Sequence, residues 1–394
     1  MAGCARKMRI LILLEACGGV ARHVTDLCAG LHARGIEVHL LYSPKRADAV
    51  LATGLPRLSM QGIRSKAVVM GPEPSLADLR AWREIRRYLR DHGPFDIIHG
   101  HSSKAGALAR LSGTSGCRVK VYTPHAFVTM NSAMNPARRL LYRSIERFLD
   151  MLGDAVIATS PAEFKHARTF LQIPKDKLFL VTNGIAPPAE EAGRQRETLR
   201  RAWRIRDDEV VIGTVARLVP QKAPELLVRA FAGVVRCRER ARLVMVGDGP
   251  LRERLEREVA QLGVSDAVVW PGYLEDPQVM SAFDIFALGS RYEGFPYVLL
   301  DALAAGLPVV TTAVGGTELV VNEGSNGIVV PIGGEKAMTE ALSDLVADPD
   351  KRLRMGAASR SKIESFSLDR MVDETVEVYE TLLQSRFSRQ HDCK

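Results

Sequence analysis

Two acids, two cations and a group of histidines at predicted strand ends are the residues of this chain whose types and spacing could do chemistry. The stretch SRYEGFPYVLLDALAAGLPVVTTAVGG, Ser290 to Gly316, sets Glu293 against Gly294, Phe295 and Pro296, and sets Asp301 eight positions later inside an apolar run. Proline suits a first helical turn because its φ is fixed and it needs no amide partner there. A helix is therefore predicted from Pro296 to Ala305, with Gly306 as its stop. Residues 293–295 then form the loop at a helix N-terminus, where free amides and the positive dipole end suit a phosphate. Asp301, more than a turn inside, needs partners if buried, and sugar or ribose hydroxyls would serve. A capped core helix with one salt-bridged aspartate is the structural alternative.

GTVARLVPQKAPELLVRAF puts Arg217 at the end of a predicted strand and Lys222 five residues on, before a helix. A guanidinium that grips two oxygens and a compact ammonium suit a diphosphate; two surface cations are the alternative. EACGGVARHV places Gly18 and Gly19 between the first strand and its helix, where a ligand could approach the backbone, although a tight turn reads equally well. No Walker loop is present. Gly247-x-Gly249 follows a strand but has Arg252 where a dinucleotide fingerprint needs a third glycine. His125 in YTPHAF, and His99 and His101 in IIHGHSS, sit at two strand ends. Such residues are more often structural, but two on one sheet raise the expectation of a lined cleft, most for His125. The D-x-D at Asp348 and Asp350 reads as helix capping, not as a metal site.

Alternating strands and helices must position these residues. In the first half MRILILL, VHLLYS, FDIIHGH, RVKVYTPHA, AVIATS and LFLVTNGI read as strands separated by helical segments. The pattern restarts after residue 201 with EVVIGTVARL, ARLVMVG, AVVWPG and DIFALGS. Such alternation implies right-handed βαβ units and parallel sheets. The polar stretch PPAEEAGRQRETLRR, 187–201, is the linker candidate. The organisation expected is a first domain over 1–186, a linker over 187–201 and a second domain over 202–366. A C-terminal helix over 367–385, packing back toward the first domain, and a flexible tail over 386–394 follow. Ligands of doubly wound sheets sit at the carboxyl ends of the strands, so two facing domains would share a cleft.

With 394 residues, 46% apolar and 25% charged, the composition is that of an ordinary globular chain. The six cysteines form no C-x-x-C and no cluster with histidine, so neither a zinc site nor a disulfide framework is indicated, and a reducing cytoplasm fits. The opening apolar run, Ile10 to Leu14, is closed by Glu15, so no secretory leader is expected. Residues 1–186 carry a formal charge of +13 and the remainder −5. That asymmetry suggests two domains with different partners, the basic one suited to an anionic membrane or simply to solvent. No aromatic-basic platform supports nucleic-acid binding.

Taken together, these stretches resemble glycosyltransferase family 4, retaining enzymes of the GT-B fold with two facing Rossmann-like domains. The resemblance runs through the GGV entry, TPHAF, VTNGI, GTVARLVPQK, VMVGDGP, WPGY and the Ser290–Gly316 block, which is similar to the family's E-x7-E element. It implies that Arg217 and Lys222 hold the donor diphosphate and stabilise it as leaving group, and that Glu293 contacts the donor sugar. It further implies that Gly294, Phe295 and Pro296 turn their amides toward sugar and phosphate and that Asp301 contacts the ribose. Gly272, Tyr273 and Leu274 would contact the base, Gly19 would lie near the diphosphate, and His125 near the transferred sugar. Position 301 holds Asp where Glu is usual, and Ala186 follows NGI where Asp is common. The run HSSKAGALARL…VYTPHAF resembles bacterial members that build exopolysaccharides and lipid-linked oligosaccharides.

The expectation is a retaining, metal-independent hexosyltransferase without a cofactor, cytoplasmic and peripheral on the membrane. It would use a nucleotide diphosphate sugar, UDP-linked, and a glycan or lipid-linked acceptor. A sugar-nucleotide 2-epimerase and a non-catalytic nucleotide-sugar binder are the alternatives.

Overall fold

Strands buried on both faces of a parallel sheet read as unbroken apolar runs, and RILILL is one: residues Ile10 to Leu14 are completely buried. The computed structural model describes residues 7–71, 73–113, 116–186, 192–236, 240–274 and 277–391. The chain divides into two compact units, one made of residues up to Gly184 together with Leu368 onward, the other of Ile185–Ser367.

The first unit holds β1 (Arg9–Leu14), β2 (Glu37–Tyr42), β3 (Arg64–Ala67), β4 (Phe95–His101), β5 (Cys117–Thr123), β6 (Ala155–Ala158) and β7 (Leu178–Leu180). Its sheet order is β3-β2-β1-β4-β5-β6-β7, all pairs parallel. The second unit holds β8 (Val210–Val215), β9 (Ala241–Val246), β10 (Val268–Gly272), β11 (Ile285–Leu288), β12 (Val309–Thr312) and β13 (Gly327–Val330), in the order β10-β9-β8-β11-β12-β13, again all parallel. Each order reverses direction once, between β1 and β4 and between β8 and β11. At such a switch point the helices leaving the two strands go to opposite faces, and a crevice opens at the carboxyl ends. This is the doubly wound architecture expected for both halves.

Each sheet has an apolar layer on both faces. In the first unit Ile10, Ile12 and Leu14 face the helix Gly19–Ala33 and the C-terminal helix, and Leu11 and Leu13 face the helix Ala77–His92. The C-terminal helix, Leu368–His391, adds Met371, Val372 and Tyr379 to the first of these layers. Its Tyr379 hydroxyl lies 2.6 Å from His99 Nδ1 at the sheet.

Three expectations change. The helix runs to His391, past residue 385, and Arg386 within it pairs with Asp154 at 3.2 Å; residues 392–394 lie outside the described residues. The stretch 187–201 is not linker throughout, since Ala192–Ala202 is a helix and the second unit already begins at Ile185; residues 187–191 are not described. Arg196 and Arg200 anchor that helix through Asp284, at 2.6 and 2.5 Å, an attachment that polar composition alone did not reveal. The segment Pro277–Ala282, where strand-helix alternation calls for a helix before DIFALGS, forms only a 3₁₀ turn. Asp348 does cap a helix, accepting from the Lys351 amide at 2.8 Å. Among the described residues no helix is long and apolar enough to cross a membrane.

One buried ion pair fixes how the helices of the first unit meet. Arg110 is 1% exposed; its two terminal nitrogens both donate to Glu146 Oε2 at 3.0 Å, Nε donates to the Gly106 carbonyl, and the guanidinium lies 4.1 Å from the centre of the Tyr122 ring. Removing one member leaves the other charge buried and uncompensated, which costs about 3–5 kcal/mol, whereas replacing both by apolar groups is often near neutral. Glu146→Leu is therefore expected to lower the urea unfolding midpoint strongly, and Arg110→Met with Glu146→Leu to recover most of it. A double variant no more stable than the single would refute this.

Candidate active site

In the second unit the loops at the carboxyl ends follow one another in sheet order: Gly272–Leu274 after β10, Gly247–Gly249 after β9, Ala216–Lys222 after β8, Gly289–Pro296 after β11 and Ala313–Gly316 after β12. Main-chain bonds strap them together. Gly247 N donates to Gly272 O at 2.8 Å, Leu218 N to Asp248 O at 2.9 Å, and Arg291 N to Gln221 O at 2.8 Å. A Cβ on Gly247, whose φ is +130°, would sit 2.0 Å from the Ala216 carbonyl oxygen. The G-x-G therefore serves loop-on-loop packing and not a dinucleotide fingerprint.

Glu293 stands at the centre of these loops. It is 6% exposed and accepts from Lys222 Nζ at 2.5 Å and from Ser290 Oγ at 2.7 Å. Gln221 Nε2 donates to the Tyr292 carbonyl at 3.1 Å. Thr312 Oγ1 donates to the Ser290 carbonyl at 2.6 Å, so β12 holds the same loop from its other side. Gly316 backs onto Phe295, where a Cβ would meet the ring at 2.3 Å. The E-x7-E stretch and the cations of GTVARLVPQK, some seventy positions apart, form one constellation. Sequence reasoning did not single out Ser290 or Gln221; their adjacency to Glu293 and Lys222 was the available signal.

The helix after this loop runs Tyr297–Ala304, with Pro296 at its N-cap and no side chain capping it. Phe295 and Pro296 are buried with Gly294 beside Glu293. Asp301 lies in the second turn and is only partly buried, not sealed in the core as the apolar run suggested. Arg217 is exposed; it and Glu293 both act on Tyr292, whose hydroxyl is pushed up by burial first and by Glu293, while Arg217 pulls it down. Tyr273 is half exposed and Leu274 packs against the core cluster around β11. A buried acid bonded to an ammonium, an exposed guanidinium on the loop that carries that ammonium and an uncapped helix start can hold a sugar hydroxyl and an anion side by side.

The first unit has its own constellation. β1, β4 and β5 end in register, Leu14 opposite His101 and His101 opposite Thr123. His101 Nδ1 lies 3.0 Å from His125 Nε2, and His23, on the helix Gly19–Ala33, has its Nδ1 3.1 Å from Asn183 Oδ1. His125 and Ala126 have φ of +55° and +99°, a region costly for residues with a Cβ. Glu163 holds that turn, accepting from Ala126 N at 2.6 Å and from Thr159 N at 2.7 Å. Burial pushes the His23 ring down to about 4 and holds His99, His101 and His125 well below the usual histidine range. Gly19 is exposed at the start of its helix, and Gly18 before it donates to Asp48 at 2.5 Å.

Residues 17–187 match the model described as Glycosyltransferase Family 4, and residues 195–362 match Glycosyl transferases group 1. The chain is a family 4-like glycosyltransferase of the GT-B fold. This glycosyltransferase is 28% identical to D-inositol 3-phosphate glycosyltransferase of Gordonia bronchialis over 95% of its own length and 86% of that protein's. It is 29% identical to GDP-mannose-dependent alpha-(1-6)-phosphatidylinositol monomannoside mannosyltransferase of Mycolicibacterium smegmatis, over 76% and 78%. Its fold matches that of Anabaena HepE, solved in complex with UDP and glucose, with a TM-score of 0.80 at 20% identity, covering 95% of this chain and all of that one.

For this glycosyltransferase the contacts predict losses that differ in kind. Glu293→Gln keeps the shape but removes the charge paired with Lys222, so turnover is expected to fall more than tenfold. Asp301→Asn, at the position the family resemblance gives to the ribose, is expected chiefly to raise the donor KM, and Asp301→Glu to be tolerated. Steady-state kinetics with a saturating acceptor separate the two; full turnover in Glu293→Gln would remove Glu293 from the site.

Proposed function

We propose that the chain transfers a hexose, with retention, from a nucleotide diphosphate sugar to a glycan or lipid-linked acceptor in bacterial surface polysaccharide assembly. The observation that carries this reading is the Lys222–Glu293 pair with Ser290, with exposed Arg217 five residues before Lys222 on the same loop. Breaking the anomeric bond builds negative charge on the leaving diphosphate. Arg217, the remaining donors of Lys222 and the uncapped start of the helix Tyr297–Ala304 are the positive groups that meet it. Glu293, fixed by Ser290 and Lys222, holds the donor sugar, with Gly294, Phe295 and Pro296 framing it. Asp301 takes the ribose, Gly272, Tyr273 and Leu274 the base, Gly19 the diphosphate region and His125 the transferred sugar. The acceptor attacks from the face the diphosphate leaves, and a phosphate oxygen of the leaving group takes its proton. The protein positions and stabilises charge and forms no covalent intermediate.

UDP is the expected nucleotide, supported by the likeness to the UDP-bound HepE fold; the GDP-mannose relative makes GDP the competing choice. On this reading no metal serves the diphosphate. Removing one oriented donor to a developing anion costs roughly 3–4 kcal/mol, so Arg217→Ala and Lys222→Ala are each expected to lower turnover by about a hundredfold to a thousandfold. Lys222→Arg restores only part, since a planar fork does not replace a compact ammonium. The assay is product formation from radiolabelled UDP-, GDP- and dTDP-sugars, with and without EDTA. Turnover lost in EDTA and restored by Mn²⁺ or Mg²⁺ would overturn the metal-free course. Conversion of the donor to an isomer without acceptor would identify an epimerase, and sound binding without turnover a non-catalytic binder.

The lipid-linked acceptor has support in the helix Pro136–Leu152. Leu140, Leu141, Phe148 and Met151 are 53–70% exposed along it, with Arg138 and Arg147 exposed among them. An apolar face flanked by arginine suits shallow insertion into an anionic interface, each basic residue adding about 1 kcal/mol. The protein is expected to sediment with anionic vesicles at low salt, less at high salt, and less after Leu141→Asp with Phe148→Asp. Equal sedimentation with neutral and anionic vesicles would count against it.

A further inference from the structure

His23, His101 and His125 come from three segments of the first unit, and each offers a ring nitrogen such that all three lie within 4.8 Å of one another. The rings are packed together, with centroids 4.6–5.3 Å apart. His23 and His101 are buried, and His101 Nε2 is enclosed without any hydrogen-bond partner. A buried ring nitrogen left unpaired is costly, and native structures keep such groups where a ligand, ion or water completes them. We propose that these three histidines form a binding site for a divalent transition-metal ion of the Zn²⁺ type.

The chemistry of the donor set fits. Neutral imidazole is the commonest ligand for such ions. Asn183 Oδ1 beside His23 Nδ1 selects the tautomer with Nε2 as the lone-pair nitrogen, the arrangement in which an outer partner orients a metal-binding histidine. Zinc bonds imidazole at about 2.0–2.1 Å, which places ligand nitrogens about 3.4 Å apart. The rings therefore have to draw in by about an ångström. Three histidines leave one tetrahedral position for water or a ligand oxygen. Bound there, the ion ties the helix Gly19–Ala33, the end of β4 and the positive-φ turn after β5 to one point. Because the reading above gives His125 to the transferred sugar, a held ion and a bound sugar compete for that ring. Occupancy itself does not rest on that reading.

The test is equilibrium dialysis of the full chain against Zn²⁺ and Co²⁺, with the visible spectrum of the cobalt form. One ion per chain is expected, with the intense d–d bands of a tetrahedral nitrogen site and no thiolate-to-cobalt band. His101→Gln is expected to abolish binding at concentrations that saturate the wild type, Asn183→Ala to weaken it about tenfold to a hundredfold, and exposed His32→Gln to leave it unchanged. Should His101→Gln fail to fold, X-ray absorption of the zinc-loaded wild type decides, three nitrogens near 2.0–2.1 Å being expected. No stoichiometric ion, sulfur in its coordination shell, or a folded His101→Gln that binds like the wild type would overturn the proposal. Activity enters none of these readouts, so failure here leaves the donor-site reading standing, and failure of that reading leaves this one.

Discussion

All strands of each sheet run the same way, and that constraint organises the rest. A parallel strand can pair with the next only after a crossover, so every helix lies on a face and every strand delivers its carboxyl end to one edge. In the first unit that edge collects Glu15, His101 and His125; in the second it collects Arg217, Lys222, Ser290 and Glu293. The reversal of strand order between β8 and β11 separates their helices, so the two loops carrying Lys222 and Glu293 can meet without a helix between them.

Burial at this edge gives the polar side chains their consequences. Glu293 is enclosed yet doubly bonded, so its carboxylate stays in place and remains in charged company. Glu163, completely buried, is raised by desolvation while three donors from Thr159 and Ala126 hold it, and it supports a backbone turn that His125 would otherwise avoid. Strain at His125 and an orphaned nitrogen on His101 are features the surrounding fold over-determines. Both lie at the strand ends where a doubly wound sheet places its ligands. The two edges thus carry different chemistry, fixed charge in one unit and a cluster of buried imidazoles in the other.

Much of this was legible from residues. Strand-helix alternation fixed the two doubly wound units, because a run such as RILILL can be buried on both faces only in a covered parallel sheet. Pro296 and Gly306 marked the helix at Tyr297–Ala304 to within a residue, since each acts through its own backbone geometry. Glu293, Arg217 and Lys222 stood out because an acid at a helix start and two cations after a predicted strand suit a sugar and a diphosphate. Tertiary structure alone decided the rest. That Lys222 pairs with Glu293, that Ser290 joins them and that Asp301 is only half covered depend on which loops the strand order brings together. The helix Ala192–Ala202 was hidden because its anchoring arginines reach Asp284, more than eighty positions away. His23, His101 and His125 show no ligand spacing along the chain, and only the shared register of β1, β4 and β5 makes them neighbours. Local pattern records what a residue can do to its own backbone; which side chains meet is set by sheet order, a property no short stretch contains.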